Sequence, residues 1–459
     1  MNPLIRCAHA ALLVLAALTA NASPVLDPAF DGDGLRVVSG LGNGVSSVGS
    51  CPVEGGSLAV VAYDELATQF VILRLRPDGA LDTTFSEDGI ARETAPMGWN
   101  VKNSVVACSG VNNGNAADDE MALAFVQPRN LDPDLTRLAR LNLNSGQFAT
   151  DYFGQTSSYD ISTLATGSAM LGDTSLGSLL RLANGEWLLV GQVRNTGMAP
   201  TLRGFAVRFN AAMTQANVAT APTSAEANPQ HLAAARIGGD GRIHALAHGT
   251  GSGGLPALLL LRLNSTTLQL DSATAYSRPF NFRLHRGRSI SGTTMVAAGS
   301  QPHAQGGGQP LLLVAHDSGV QELALPQPEA LGGLPTQINI TTAALPTATA
   351  AAGGRAIFAA NLQADNGAAI GFYVAVIRPL PDPSEYEVDT RFGNHGSGAF
   401  RYTGNGGCWG QQGLGNISSW GNATALVAAT SPSCDIGVEH PLIARIDTHP
   451  NPLLGDSFE

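Results

Sequence analysis

Lysine is all but missing from this chain. Of 25 basic residues only Lys102 is lysine; the rest are arginine. Charge of either sign is scarce, at 13% of 459 residues, about half the usual share. That excludes a charge-solvated disordered polymer, a coiled coil and a basic nucleic-acid binder, because each depends on dense charge. The net charge of −11 further disfavours phosphate backbones and anionic membrane surfaces as partners. No run after the first residues approaches the ~18 apolar residues that span a bilayer, so no membrane span is expected. No segment keeps an uninterrupted helical period. No CxxC pair occurs, which removes the common zinc and dithiol motifs. No serine has Gly at both −2 and +2, so the nucleophile-elbow signature is missing too.

What the chain does hold is glycine and small apolar residues. It has 54 Gly, 26 Pro and 44% hydrophobic residues, a composition suited to many short strands joined by tight turns. Met1 to Arg6 carries one positive charge, an apolar run follows from Ala8 to about Thr19, and Ala20-Asn21-Ala22 forms a small-x-small site. Residues 1–22 therefore read as a signal peptide. Cys7 precedes the apolar run, which disfavours a lipid anchor. The expected location is outside the cytoplasm: secreted, periplasmic or on the cell surface.

Internal repetition dominates the rest. An arginine set in an apolar strand recurs at Arg74, Arg140, Arg208, Arg262 and Arg445, with two degenerate copies ending at His316 and Arg378. The steps average about 62 residues. About 20 residues before each copy lies a second apolar strand, such as Leu58–Ala62, Met121–Val126 or Trp187–Gly191. Each unit has room for two weaker strands; in the first copy these are Gly34–Val38 and Val45–Cys51. A four-stranded sheet cannot cover both of its apolar faces alone, and radial stacking buries both. The expectation is an all-β fold, a single β-propeller over residues 23–447. Seven four-stranded blades are favoured, with six or eight as the alternatives, and residues 448–459 form a C-terminal tail. The arginine strands are expected outermost, where charge discourages edge pairing.

Three segments share the form Leu/Val-Asp-x-x-Phe-x-x-x-Gly: Leu26–Gly34, Leu81–Gly89 and Val388–Gly396. Tyr152-Phe153-Gly154 is a worn copy. With Arg74-Leu75-Arg76-Pro77-Asp78-Gly79 upstream, the pattern resembles the delta-60 repeat of large exported bacterial proteins. The resemblance implies a propeller-like exported protein and transfers no activity or site residues. The residues carry their own physics. Asp27, Asp82 and Asp389 are expected to fix turns by accepting backbone N–H bonds. Phe30, Phe85 and Phe392 are expected to fill the wedge between blades, and the closing Gly to take a positive φ.

Four cysteines remain beyond the signal segment, an even count that favours disulfides in an exported chain. The expected pairs are Cys51 with Cys108 and Cys408 with Cys434. Cys51 and Cys108 end the second strands of adjacent blades, so they need a register offset to meet. His244 and His248 have a spacing that suits metal ligation on a helix, but they fall in a strand, where four residues span about 13 Å. Gly249-x-Gly251-x-x-Gly254 fits a dinucleotide fingerprint in form only, because a strand and not a helix follows. Asp27, Asp31 and Asp33, with Asp118-Asp119-Glu120, are the densest acids and the only calcium candidates, and turn formation suits them better. No catalytic residue, metal or cofactor is expected. The leading reading is a monomeric, non-catalytic exported propeller that binds an extracellular or envelope polymer or protein. The alternative is a hydrolase or lyase acting on an extracellular polymer, with carboxylates meeting in the central channel.

Overall fold

The computed structural model describes residues 26–38, 40–41, 45–95, 101–110, 114–129, 132–149, 158–167, 174–194, 201–277, 282–289, 294–302, 308–316, 319–326, 343–344, 356–363, 369–381, 385–392, 397–400, 412–420, 423–430 and 440–447. The signal segment, the C-terminal tail, Tyr152–Gly154, Cys408 and Cys434 lie outside them. The described residues build a single all-β propeller from seven antiparallel sheets of four or five strands. From the axis outward, the first sheet runs Val45–Pro52, Leu58–Asp64, Gln69–Leu75 and Ile90–Thr94. The inner strands of the next five are Lys102–Ser109, Thr174–Arg181, Ala227–Ile237, Arg283–Ser289 and Ala343–Ala344. The last sheet runs Gln412–Trp420, Ala423–Thr430 and His440–Asp447, and Leu35–Val37 completes it from the other end of the chain.

That last pairing corrects the sequence assignment. Leu35–Val37 does not belong to the first sheet but pairs antiparallel with Leu442–Ala444. The repeat in sequence is therefore offset from the repeat in space. The inner strands of successive sheets pack in turn, and the first packs on the last, Val45–Pro52 against Gln412–Trp420. Seven apolar clusters fill the interfaces between neighbouring sheets, the seventh joining Ile443 of the last sheet to Leu58, Val60 and Leu73 of the first. The core is a set of wedges between sheets, and the two wedges that flank a sheet bury its two faces.

The arginine strands are not outermost. Arg74, Arg140, Arg208, Arg262, Arg378 and Arg445 all lie on third strands, and a fourth strand or strand segment lies beyond each, shorter in every sheet but the fourth. Three of them, Arg74, Arg208 and Arg445, join neighbouring sheets. Arg74 Nε pairs with Asp82 at 2.8 Å, Arg208 Nε with Glu186 at 3.1 Å and Arg445 Nε with Asp27 at 3.2 Å. The far end of each guanidinium crosses to the next sheet's turn between third and fourth strands. Arg445 Nη1 donates to Pro77 O at 2.5 Å, Arg74 Nη1 to Asn144 Oδ1 at 3.4 Å and Arg208 Nη1 to Ser265 O at 2.5 Å.

The Asp-x-x-Phe segments serve the same joints. Asp27 and Asp82 donate their N–H to the carbonyls of Arg445 and Arg74 at 2.9 and 2.8 Å. Their carboxylates accept the N–H of Ala29 and Thr84, and Asp389 accepts that of Arg391. Burial alone would raise the Asp82 carboxyl, but the hydroxyl and amide of Thr84 with the Arg74 guanidinium outweigh it and hold it below the ordinary value. Phe30, Phe85 and Phe392 are buried between sheets. A Cβ on Gly79 would stand 2.9 Å from the Phe30 ring and one on Gly146 2.6 Å from that of Phe85. The rings of Phe30 and Phe85 thus lie flush on the following sheet's turn. Gly34 and Gly89, which close the segments, take φ of 84° and 83°.

Cys51 and Cys108 form a disulfide. They sit on inner strands, not on second strands as the sequence reading placed them. A β-bulge supplies the offset they need. Cys51 lies two residues past the first realigned pair, Gly49–Val61, whereas Cys108 lies three past Val105–Ala124. One residue of difference reverses a side chain's face in a strand.

Two outcomes test these joints. Phe85→Ala is expected to cost roughly 3–5 kcal/mol in chemical denaturation, against little for Leu66→Ala, whose side chain is exposed. A loss within about 0.5 kcal/mol for Phe85→Ala would mean that the ring is not a wedge. Non-reducing peptide mapping should link Cys51 to Cys108, and reducing a bond that spans 57 residues should cost about 4 kcal/mol.

Candidate functional site

The inner strands differ in charge from the rest of the chain. None of the 36 acidic residues falls in any of the seven described inner strands. Their formal charges are Lys102, Arg181, Arg236, Arg283, Arg286 and Arg288, joined by His231 and His285. An acidic protein therefore carries a purely basic set of strands around its axis.

Six of these strands contain a β-bulge, seen as register shifts at Ser47/Gly49, Lys102/Val105, Leu176/Ser178, Leu232/Ala234, Leu284/Arg286 and Leu414/Asn416. A bulge adds one residue to one strand, which re-aims the side chains beyond it. In the fifth sheet this has a chemical result. Arg283, Arg286 and Arg288 lie opposite Ser300, Ala298 and Val296. Directly opposed residues share a face, so all three arginines stand on one face. In a regular strand the three-residue step from 283 to 286 would turn Arg283 away from the other two, and the bulge at His285 absorbs the odd residue. Leu284 and Gly287 take the reverse face against the fourth sheet, where a Cβ on Gly287 would meet that of Ala234 at 2.5 Å.

The bulge is pinned from the fourth sheet. His248 Nδ1 accepts the Leu284 N–H at 3.1 Å, and His231 Nε2 donates to the His285 carbonyl at 3.0 Å. In the neutral rings these partners place the proton on Nε2 of both. The two rings stand 5.5 Å apart, and His285 Nε2 contacts Ser300 Oγ at 3.1 Å. Burial pushes His231 and His285 down to about 4 and His248 well below its ordinary value, with nearby arginines adding to the effect. Burial also lowers Arg286 to about 10 and Arg288 to about 9. Arg288 Nη2 donates to Val106 O at 2.5 Å. Val106 is on the inner strand of the second sheet, so this guanidinium lies across the axis. Arg283, at the strand's start, is exposed.

Other residues singled out in the sequence lie elsewhere. His244 is buried in a relay at the opposite end of the fourth sheet, accepting from Arg236 Nη2 at 3.1 Å on Nδ1 and facing Asp240 at 3.2 Å with Nε2. Gly251 to Gly254 form a turn leading into the strand Pro256–Leu263. Asp33 accepts the Leu35 N–H, and Asp31 pairs with Arg36. Buried Asp119 accepts the Glu54 N–H at 2.7 Å. Among the described residues no three His, Cys, Asp or Glu side chains group as metal ligands. Sequence reasoning passed over Arg283, Arg286 and Arg288, because a three-residue step does not fit the period of a plain strand.

One family model bears on the architecture. The family described as "Domain of unknown function (DUF5122) beta-propeller" matches residues 58–85. No match is found among curated proteins. Among solved structures, a protein of unknown function from Dyadobacter fermentans is 12% identical, with a TM-score of 0.47 over 77% of this chain and 96% of that one. The Nup133 β-propeller domain of Vanderwaltozyma polyspora is 8% identical, with a TM-score of 0.41 over 90% and 100%. A mutant NanB sialidase from Streptococcus pneumoniae is 7% identical, with a TM-score of 0.40 over 85% and 83%.

The histidines set a pH response. Their folded pKa values lie below 6.5, so between pH 6.5 and about 4 the unfolded chain binds more protons than the folded one. Stability is expected to fall as pH falls through that window, and His231→Gln should flatten the dependence. Thermal melts across the window check it; an unchanged Tm would show that these imidazoles titrate normally.

Proposed function

We propose that this chain is an exported, non-catalytic propeller, its seven sheets serving as seven blades, that binds an acidic extracellular or envelope ligand at its axis. The observation that carries the reading is the single sign of charge on the inner strands. Basic side chains gathered in a partly enclosed, low-dielectric site attract anions more strongly than the same charges dispersed in water. The leader-like N-terminus and the Cys51–Cys108 disulfide favour an oxidising compartment. No helix among the described residues is long and apolar enough to cross a membrane. A hydrolase with the paired carboxylates of a glycosidase would draw them from outside the described inner strands, which carry no acid.

The test is a binding screen with the mature chain immobilised. Acidic polysaccharides should bind saturably and release as salt rises, while neutral ones should not. Equal responses to neutral and acidic polymers would overturn the reading. Steady turnover of any polymer by substoichiometric protein would move the assignment to the enzyme class.

A further inference from the structure

We infer that Arg283, Arg286 and Arg288 form a graded oxyanion row that receives the end of a ligand chain bearing closely spaced carboxylate or phosphate groups. The inference rests on the axial-binding reading above and specifies its site and ligand class. The bulge at His285 sets the three arginines on one face, and neighbours on a face stand about 7 Å apart along a strand. The row is graded in depth, because Arg283 is exposed whereas Arg286 and Arg288 are half-buried. Arg288 reaches across the axis to the carbonyl of Val106, so a chain entering past Arg283 meets a crossbar and stops. That geometry fits a terminus and not a threaded polymer.

Guanidinium chemistry sets the ligand. The fork of N–H donors matches carboxylate and phosphate oxygens, and such charge-assisted bonds are stronger than neutral ones. A ligand with one charge meets one arginine; an oligomeric anion meets two or three and gains from the shared enclosure. The wall beside the row is neutral at pH 7, because His231, His248 and His285 are held unprotonated. Acidification through their titration adds positive charge next to Arg283 and Arg286 and takes from His248 its lone pair on Leu284. Anion affinity and the geometry of the row are therefore coupled to the same imidazoles.

Calorimetric titration of the full mature chain with oligogalacturonate, monomeric galacturonate and tripolyphosphate tests the row. The oligomer should bind more tightly than the monomer, and tripolyphosphate should displace it. Arg286→Gln should weaken the oligomer roughly tenfold or more, with partial recovery in Arg286→Lys. Arg283→Gln, at an exposed position, should weaken it about threefold and keeps the test open if Arg286→Gln fails to fold. Arg76→Gln, on an exposed turn of the first sheet, should bind as the parent does. Folded Arg283→Gln and Arg286→Gln proteins with parental affinity would overturn the row and leave the axial reading standing. A parent chain that binds no acidic polymer would overturn both.

Discussion

Arg74, Arg208 and Arg445 each hold two sheets at once, and three joints of the ring depend on that double grip. Nε pairs with an acid of its own sheet while Nη1 reaches the turn of the next. Exposed ion pairs contribute little, yet Arg74, Arg208 and Arg445 keep under a fifth of their side-chain surface exposed. Their charge is partly desolvated, so losing a partner leaves a half-buried cation. Beneath two of these links lies a phenyl ring, Phe30 or Phe85, seated on glycine. Polar latch and apolar wedge act on the same turn, and in a closed ring a weak joint is shared by every other joint.

The axis follows from the same packing. Seven sheets converge, so their inner strands crowd, and bulges recur where the crowding is greatest. A bulge releases backbone groups from the ladder, and buried N–H and C=O groups need partners. In the fifth sheet the partners are His248 and His231, which explains two buried imidazoles at strand positions that look idle in the sequence. The row of arginines is a by-product of that local repair. Once the register has shifted, positions 283, 286 and 288 align without further provision.

Much of the fold was readable because it repeats. Apolar strands of five or six residues, spaced turns and the Asp-x-x-Phe segments all point to stacked sheets, and no local propensity opposes them. Two assignments failed for topological reasons. The arginine strands were placed outermost because their covering strands, such as Ala216–Thr220, alternate weakly and look like loop. The segment at Leu35–Val37 was assigned to the repeat it precedes, since sequence adjacency says nothing of a partner at Leu442–Ala444. The candidate site was hidden more deeply. A bulge changes side-chain parity without leaving a residue signature, so a strand carrying arginines at an odd interval reads as unremarkable surface.

The pairing of Leu35–Val37 with Leu442–Ala444 also governs timing. About 400 residues separate these partners, and non-local contacts of that span are slow to form because loop closure must come first. The early strand emerges from the ribosome long before its mate and has nothing to pair with until the last sheet is made. Intermediate sheets can assemble on one another in the meantime, since each needs only its neighbours. The unfinished molecule is then an open arc with an apolar face bare at each end. Chain synthesis thus sets the moment of closure, and an arc held open too long invites a second arc to complete it.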